Sequence, residues 1–302
     1  MKVGAPRTWQ FPPGFVFFEM VALMNWSRLA ACVWLLTLGV VPLQAEDHAT
    51  QILLATVKLQ HSASAGTGFL IIPKTGVDRA QGECLLVTAA HVFDPSPDDA
   101  ITVALRVPQT DGTYQRRDQS IPIRKDKKPL WIRHPQQDVA VLKIALPNGV
   151  EATPLPIDVL AEGPELRQRR VRIGARLMAF GYPARVEANP AGFPLARHAS
   201  LATYPVVPPT AFPIIMIDMS AHGGDSGGPV MLETIDSRNE DAGLPVIMAM
   251  VIGKVQQDEK VVGLYEERIV HHPLDLSIAV QAQFLRETIS LWEQSVAKAE
   301  RR

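Results

Sequence analysis

Cysteine is scarce in this 302-residue chain, which has only two. Cys32 lies in an apolar N-terminal segment, so the remainder of the chain has a single thiol, Cys84. One thiol cannot form an internal disulfide, and stability must therefore come from an apolar core. Cys84 begins the strand-like run "CLLVTAA", where we expect a buried, inert thiol.

An excess of charge of either sign is also missing. The chain has 30 Lys and Arg against 31 Asp and Glu, a formal net charge of −1 and a pI of about 6.7. No basic arm or patch is visible in the sequence. This balance excludes the polycationic surface that would favour nucleic acid or anionic lipid, and we expect no nucleic-acid partner.

The N-terminal apolar run is too short to span a bilayer. Leu29 to Val41 covers thirteen residues, against roughly 20 for a membrane helix. Arg28 precedes the run and Ala45 follows it, the pattern of a secretory signal peptide cleaved after Ala45. We therefore expect residues 1–45 to form an N-terminal extension and signal peptide. The mature protein is then exported, periplasmic or secreted, with no stable membrane insertion after signal cleavage.

Other interpretations of this N-terminal segment stay open. It could act as a hydrophobic anchor. "LAAC" also resembles a lipoprotein processing site at Cys32, although Arg28 stands where that signal needs an apolar stretch. Translation could start at Met1, Met20 or Met24.

Beyond residue 45 the chain alternates short apolar runs with turn residues. Runs such as "TGFLIIP", "DVAVLKIAL", "FPIIMIDMS" and "LPVIMAMVIGKV" are rich in Val, Ile and Leu and bounded by Gly, Pro or Asp. The 25 prolines also favour turns and short strands. This pattern predicts an all-β barrel or sandwich. Turn residues and charges at 155–170 interrupt the strand rhythm, so we place domains at 46–165 and 166–302.

The C-terminal segment has a different period. Leu285, Ile289, Trp292 and Val296 recur at spacings of four, three and four, which is one face of an α-helix. We expect this helix to pack on a barrel.

Three distant residues form a candidate catalytic set. A serine hydroxyl becomes a nucleophile when an imidazole takes its proton and an acid orients that imidazole. His91 ends "LLVTAAH" just after a strand, Asp138 stands at the entry to the strand of "HPQQDVAVLKI", and Ser226 lies in "SAHGGDSGGPVML". We name these residues as the candidate catalytic base, acid and nucleophile.

The glycines around Ser226 fit the same chemistry. Aiming the N–H groups of Gly224 and Ser226 at one point requires backbone angles that a Cβ opposes, which explains Gly223 and Gly224. Gly227 and Gly228 would allow substrate and neighbouring backbone to approach closely. Gly224 and Ser226 are therefore the candidate oxyanion hole.

The motifs "GTGFLI", "VTAAH", "DVAVLKI" and "GDSGGPV", in this order, resemble the chymotrypsin/trypsin-like serine endopeptidase family, in particular its exported, disulfide-free bacterial members. The resemblance implies two six-stranded antiparallel β-barrels with the site in the cleft between them, here with a C-terminal helix. It implies polypeptide substrates, an acyl-enzyme intermediate and no cofactor. One departure stands out: the expected mature start, "EDHATQILLATVKL", has no activating N-terminal motif to pair with Asp225, so either another residue pairs with Asp225 or activation differs.

The resemblance also locates a substrate pocket. Its base corresponds to Ser220, and its walls lie near Met250 to Gly253, so we name Ser220, Val251 and Gly253. Neither region supplies a charge, and a small or apolar side chain is the expected preference.

Two alternatives to an active endopeptidase are open to this sequence. One is a catalytically silent binding protein on a protease fold. The other is an α/β-hydrolase elbow at Gly224, Ser226 and Gly228, but Gly227 to Pro229 oppose the helix that this fold requires. No metal site is expected, because the pair His271-His272 lacks a Cys or carboxylate partner at ligand spacing and is typical of a loop.

Overall fold

The computed structural model describes residues 47–62, 64–94, 96–233, 244–262 and 266–301. All of these residues belong to one compact unit, Glu46–Arg302. The expected signal peptide and its cleavage site lie outside the described residues. No helix in the described ranges is both long enough and apolar enough to cross a membrane.

The first half of the described chain is an eight-stranded sheet. Its strands are paired in the order β5-β4-β1-β2-β3-β9-β8, and β10 pairs with β2. Two further strands, β6 and β7, pair only with each other. The bounds are β1 Thr56–Gln60, β2 Ala65–Ile72, β3 Glu83–Thr88, β4 Ala100–Pro108, β5 Tyr114–Pro122, β6 Arg124–Lys125, β7 Lys128–Pro129, β8 Ile132–Arg133, β9 Ala140–Ala145 and β10 Leu155–Pro156.

The second half is a closed barrel of six strands in the order β11-β12-β13-β16-β15-β14. Its last two long strands are paired antiparallel along most of their length. The bounds are β11 Arg176–Gly181, β12 Leu195–Leu201, β13 Ile214–Asp218, β14 Pro229–Leu232, β15 Ile247–Val262 and β16 Glu267–Gln281.

Four α-helices accompany the strands in the described ranges: α1 His48–Ala55, α2 Ala90–Phe93, α3 Gly163–Gln168 and α4 Ala282–Glu300. In α4, Leu285, Ile289 and Trp292 are buried, and Val296 packs against the same core. The predicted apolar face of the helix is therefore the face that packs against the core. It contacts β8 and β9, and α4 thus packs on the strands on either side of Asp138.

The all-β class with a C-terminal helix is confirmed. The closed six-stranded barrel is present in the second half. In the first half, the sheet has six strands of five or more residues and two further strands, β8 and β10, of two residues each. This sheet is compatible with the other expected barrel. The boundary expected between residues 165 and 166 falls inside α3 and stays a prediction.

Each half has its own apolar core. One core is built mainly from the first sheet and α4, and the other from the closed barrel. Cys84 is fully buried in the first core, where burial raises the pKa of its thiol to about 12. The thiol is therefore protonated and inaccessible, as predicted.

Candidate active site

His91 and Asp138 are joined by two hydrogen bonds. The Asp138 carboxylate lies 2.5 Å from His91 Nδ1 through Oδ2 and accepts the His91 backbone N–H at 3.0 Å through Oδ1. His91 lies in α2, which follows β3, and Asp138 lies in the loop that joins β8 to β9. Because β3 and β9 are adjacent strands, the sheet brings these two residues together. The side chains are 46% and 26% exposed, so the pair is accessible from solvent.

The environment of Asp138 favours its ionised form. Burial raises the pKa of this carboxyl, but hydrogen bonds from the His91 ring and backbone, the charge interaction with His91 and the nearby Arg133 lower it by more, and the net pKa is below its ordinary value. The carboxylate therefore stays charged and orients the His91 ring with Nδ1 toward itself. Nε2 is left as the second ring nitrogen, able to accept a proton.

The loop that carries Ser226 is tied to the strands next to His91. Thr67 donates its backbone N–H to Ser226 O at 2.8 Å and its hydroxyl to Gly224 O at 2.6 Å. Thr88 donates its hydroxyl to Thr67 O at 2.6 Å. Because Thr88 is the last residue of β3, these bonds connect the serine loop to the strand that leads into His91.

The Ser226 side chain itself is half-buried. Within the described ranges, no hydrogen bond joins its hydroxyl to the His91 ring. Of the three candidate triad members, two are therefore in direct contact, and the third is linked through its backbone and Thr67 to the strand that leads into His91.

Gly224 and Gly227 have conformations that a side chain opposes. Gly224 has φ +105°, and a Cβ there would lie 2.2 Å from Tyr182 O; Gly227 has φ +90°, and its Cβ would lie 1.9 Å from Thr67 O. Gly223 is different, because its φ is outside the left-handed region and no described residue comes within 4 Å of the position that a Cβ would take. The conformational requirement expected of both Gly223 and Gly224 thus holds for Gly224 only.

The N–H groups of Gly224 and Ser226 donate to no backbone acceptor in the part of the chain that the structure describes. The neighbouring Asp225 and Gly228 N–H groups bond to His222 O and Asp225 O. Two available donors on a glycine-framed turn are what an oxyanion hole requires.

Asp225 has a partner within the barrel, Arg197. The Asp225 side chain is 2% exposed, and Oδ1 lies 2.6 Å from Arg197 Nη2. Oδ1 makes no hydrogen bond to any described residue, so this contact is an ion pair. Oδ2 accepts the backbone N–H of His222 at 2.8 Å. Asp225 is thereby fixed by a side chain of β12 and by its own loop.

The candidate pocket residues lie on two segments: Ser220 stands six residues before Ser226, and Val251 and Gly253 belong to β15. Val251 is buried and exchanges two backbone hydrogen bonds with the serine loop: Gly227 donates to Val251 O at 2.8 Å, and Val251 donates to Gly228 O at 2.9 Å. Gly253 lies just beyond, at an irregular point in the β15–β16 pairing. Ser220 is half-buried, and its carbonyl accepts a hydrogen bond from Arg197 Nη1 at 2.9 Å. A cation therefore lies beside the expected pocket base, which the sequence had suggested was uncharged.

Sequence reasoning missed Arg197, Thr67 and Thr88. The only signal for Arg197 was indirect, since Asp225 needed a positive partner. The two threonines lie within quoted motifs, "GTGFLI" and "VTAAH", where a hydroxyl in an otherwise apolar buried strand could have drawn attention to them.

The expectation for His271 and His272 was wrong in its details. Both lie on strand β16 and not in a loop, and each has a carboxylate partner: His271 Nδ1 is 2.6 Å from Asp258, and His272 Nε2 is 2.9 Å from Glu259. Cross-strand pairing, which residue spacing does not reveal, brings these groups together. Over the described ranges, no cluster of three or more His, Cys, Asp or Glu side chains could hold a metal ion.

Comparison with known proteins identifies a family. The family model described as "Trypsin-like peptidase domain" matches residues 66–235, more than half of the chain. No curated protein matches the sequence.

Two structures of the inactive form of Rv3671c are among the solved structures that match this chain. A serine-to-alanine mutant of Rv3671c from M. tuberculosis is 19% identical, with 80% of this chain and 87% of that chain covered and a TM-score of 0.43. The Rv3671c protease is 18% identical, with 80% of this chain and 90% of that chain covered and a TM-score of 0.42. The family match, and not these two structural likenesses, establishes which family the chain is part of.

Proposed function

The chain belongs to the trypsin-like peptidase family, and from this premise we propose that it is a serine endopeptidase with His91, Asp138 and Ser226 as its catalytic triad. Membership supports a peptidase function with polypeptide substrates. The triad assignment and the acyl-enzyme route are the specific parts of the proposal.

The observation that carries the proposal is the two-point contact between Asp138 and His91. One carboxylate oxygen is 2.5 Å from the ring Nδ1 and the other accepts the backbone N–H at 3.0 Å. This arrangement selects the tautomer with the proton on Nδ1 and prevents ring rotation, which leaves Nε2 as the base. A surface ion pair would not need a second bond to the histidine backbone.

Acylation then follows from this geometry. Ser226 Oγ attacks the carbonyl carbon of the scissile bond while its proton moves to His91 Nε2, and the carbonyl electron pair moves onto oxygen. The imidazolium that forms is stabilised by Asp138. When the tetrahedral intermediate collapses, the C–N bond breaks and the leaving amine takes the proton from Nε2. Catalytic hydrogen bonds often tighten only when substrate is bound, so a free protein without a Ser226–His91 bond in its described residues is compatible with this step.

The N–H groups of Gly224 and Ser226 support the charge that develops on oxygen. Each donor of this kind contributes about 3 kcal/mol to the transition state. Both are unpaired within the described ranges, so no internal bond must break before they can act. Deacylation repeats the sequence with water, which His91 deprotonates as it attacks the acyl carbon.

The residue preference at the scissile bond is proposed to be a small or apolar side chain, held near Ser220, Val251 and Gly253. Arg197 lies beside Ser220, but the ion pair with Asp225 engages its charge. Profiling cleavage with a peptide library tests this preference, and a strong preference for acidic side chains would contradict it, because Arg197 would then be reaching the substrate.

We also propose that the protein is exported, periplasmic or secreted. The support is the sequence pattern of residues 1–45 alone. Detection of the mature N-terminus by protein sequencing of the native protein tests this proposal, and a retained N-terminal segment in a cytoplasmic fraction would contradict it.

Turnover of a denatured protein substrate tests the endopeptidase assignment. Ser226→Ala and His91→Ala should each lower kcat by about 10⁶-fold. The matched control is His198→Ala. His198 is an exposed residue of β12 that pairs with Glu233, and its removal should keep the wild-type rate. If Ser226→Ala keeps that rate as well, the silent binding protein or a different catalytic site becomes the better description.

A further inference from the structure

The loop between β8 and β9 is folded around the ring of His134. His134 donates its backbone N–H to Val139 O at 3.0 Å. Its ring Nδ1 accepts two backbone N–H groups, those of Gln136 at 3.1 Å and Gln137 at 3.0 Å. The next residue after Gln137 is Asp138. One side chain therefore fixes the backbone immediately before the candidate catalytic acid.

These contacts define which nitrogen of the His134 ring carries the proton. A nitrogen that accepts two N–H groups must present its lone pair, so Nδ1 is unprotonated and Nε2 carries the proton. Nε2 lies 3.3 Å from Glu287 Oε2 on α4 and donates to it. The other Glu287 oxygen accepts from Gln283 at 2.9 Å. The ring is thus bonded at both nitrogens, through Nδ1 to two residues of the β8–β9 loop and through Nε2 to the C-terminal helix.

The ring is enclosed by its surroundings. His134 is 5% exposed. Its ring packs edge-on against Phe284, with ring centroids 5.5 Å apart and planes at 86°. Phe284 belongs to the same helix as Glu287, so both an apolar and a polar contact from α4 hold the ring in place.

We infer that His134 is a positioning residue that sets the orientation of Asp138, with α4 holding His134 through Glu287 and Phe284. The inference rests on the proposed function, because it concerns how the acid of that triad is placed. The described contacts of His134 are with the β8–β9 loop and α4, and none of them is with the His91 ring or Ser226. Its effect passes through the backbone of Gln136 and Gln137 to the carboxylate that meets His91 at two points.

This role differs from ordinary core packing because it depends on an acceptor at one ring position. A phenylalanine in place of His134 fills a similar space but leaves two N–H groups without an acceptor. An asparagine offers a side-chain oxygen that can accept N–H groups two and three residues later, as in an Asx turn. The two substitutions therefore separate the loss of the acceptor from the loss of the ring.

Steady-state kinetics on the purified protein test the inference. His134→Phe should lower kcat by about 100-fold, the cost of a displaced catalytic group, with KM unchanged. His134→Asn should recover most of the lost kcat. In an Asp138→Asn background, His134→Phe should cause no further loss, since the acid that it positions is already absent. An equal further loss there would show general structural damage and overturn the inference, as would a wild-type kcat in His134→Phe.

Glu293→Gln provides the matched control. Glu293 lies on α4 and accepts the backbone N–H groups of Lys74 and Thr75, so its loss weakens helix docking without touching His134. This variant should keep the wild-type kcat. If it loses kcat as His134→Phe does, helix docking alone explains the effect and the positioning role is wrong.

A readout without turnover keeps the inference testable if the proposed function fails. The proton between His91 Nδ1 and Asp138 should give a far-downfield NMR resonance in the wild type, because the bond is short and charge-assisted. That resonance should broaden or disappear in His134→Phe and persist in His134→Asn and Glu293→Gln. Its persistence in a folded His134→Phe would overturn the inference, whether or not the wild type cleaves peptides.

Discussion

Arg197 Nη2 lies 2.6 Å from Asp225 Oδ1, and the Asp225 side chain is almost completely buried one residue before Ser226. The arginine belongs to β12 of the closed barrel, so the barrel wall supplies the positive partner for this acid. The same guanidinium donates to Ser220 O at 2.9 Å. One side chain therefore links the residue before the candidate nucleophile to the expected base of the substrate pocket.

Arg197→Ala should destabilise the protein and distort the serine loop. Leaving a buried carboxylate without its partner costs about 3 kcal/mol, and the free energy of unfolding in urea measures this loss. The matched control is Arg176→Ala, because Arg176 pairs with Glu233 through a largely exposed side chain and should cost less than about 1 kcal/mol. Equal effects of the two substitutions would contradict a special role for Arg197.

Gly224→Ala should abolish activity and lower stability. The added Cβ meets Tyr182 O at 2.2 Å, and the backbone has φ +105°, so the turn must change shape and its N–H groups move. Gly223→Ala, the neighbouring control, meets no described residue within 4 Å and should leave the free energy of unfolding within about 1 kcal/mol of the wild type. Thermal unfolding of the two variants side by side measures the difference, and a stable, active Gly224→Ala protein would contradict the proposed oxyanion turn.

Asp138→Asn should lower kcat by about 10⁴-fold with little change in KM, because an amide stabilises the wrong imidazole tautomer. The control is Asp94→Asn, which removes a carboxylate from the exposed pair with Arg133 near the same loop. Single-turnover measurements separate the chemical step from binding. A kcat loss of similar size in both variants would mean that local charge, and not the bond to His91, is responsible.

Protonation of Glu187 should lower the stability of the protein at acidic pH. Burial raises the pKa of its carboxyl, but hydrogen bonds and charge interactions with Lys58 and Arg116 lower it by more, and the net pKa is below the ordinary value. Lys58 Nζ and Arg116 Nη1 lie 2.6 and 2.5 Å from Glu187 Oε1. Because the folded-state pKa is depressed, this stabilisation is complete above the ordinary glutamate pKa and is lost as the pH falls through the folded-state value.

The difference in unfolding free energy between wild type and Glu187→Gln, measured from neutral pH down to about pH 3, isolates this contribution from other carboxylates. The difference should be largest at neutral pH and shrink with acidification. Glu267→Gln is the control, since its pair with Lys260 is exposed and should give a small difference at every pH. A Glu187 difference that does not change with pH would contradict the assignment.

Periodicity and motif order predicted the parts of this molecule that depend on local sequence. The α4 face at Leu285, Ile289 and Trp292 follows from helical spacing, and the all-β class follows from short apolar runs between turn residues. The family could be identified because "VTAAH", "DVAVLKI" and "GDSGGPV" occur in order. The assignment of His91, Asp138 and Ser226 to a triad stays a prediction, although the structure joins the first two.

Contacts between distant strands could not be predicted in the same way. Arg197 meets Asp225 because β12 pairs with β11 in one register, Ala179 opposite Arg197, and a shift of one residue would turn that side chain to the other face. His134 accepts two N–H groups of its own loop, a geometry that its motif does not specify. The different requirements at Gly223 and Gly224 likewise depend on how close Tyr182 lies.

Labelling of the purified protein with a fluorophosphonate probe, followed by peptide mapping, shows whether Ser226 is an activated nucleophile. We expect one covalent adduct on Ser226, absent from Ser226→Ala and from His91→Ala, because only an activated serine reacts with the probe. An adduct on a different residue, or a wild-type protein that stays unlabelled across a range of pH, would contradict the triad.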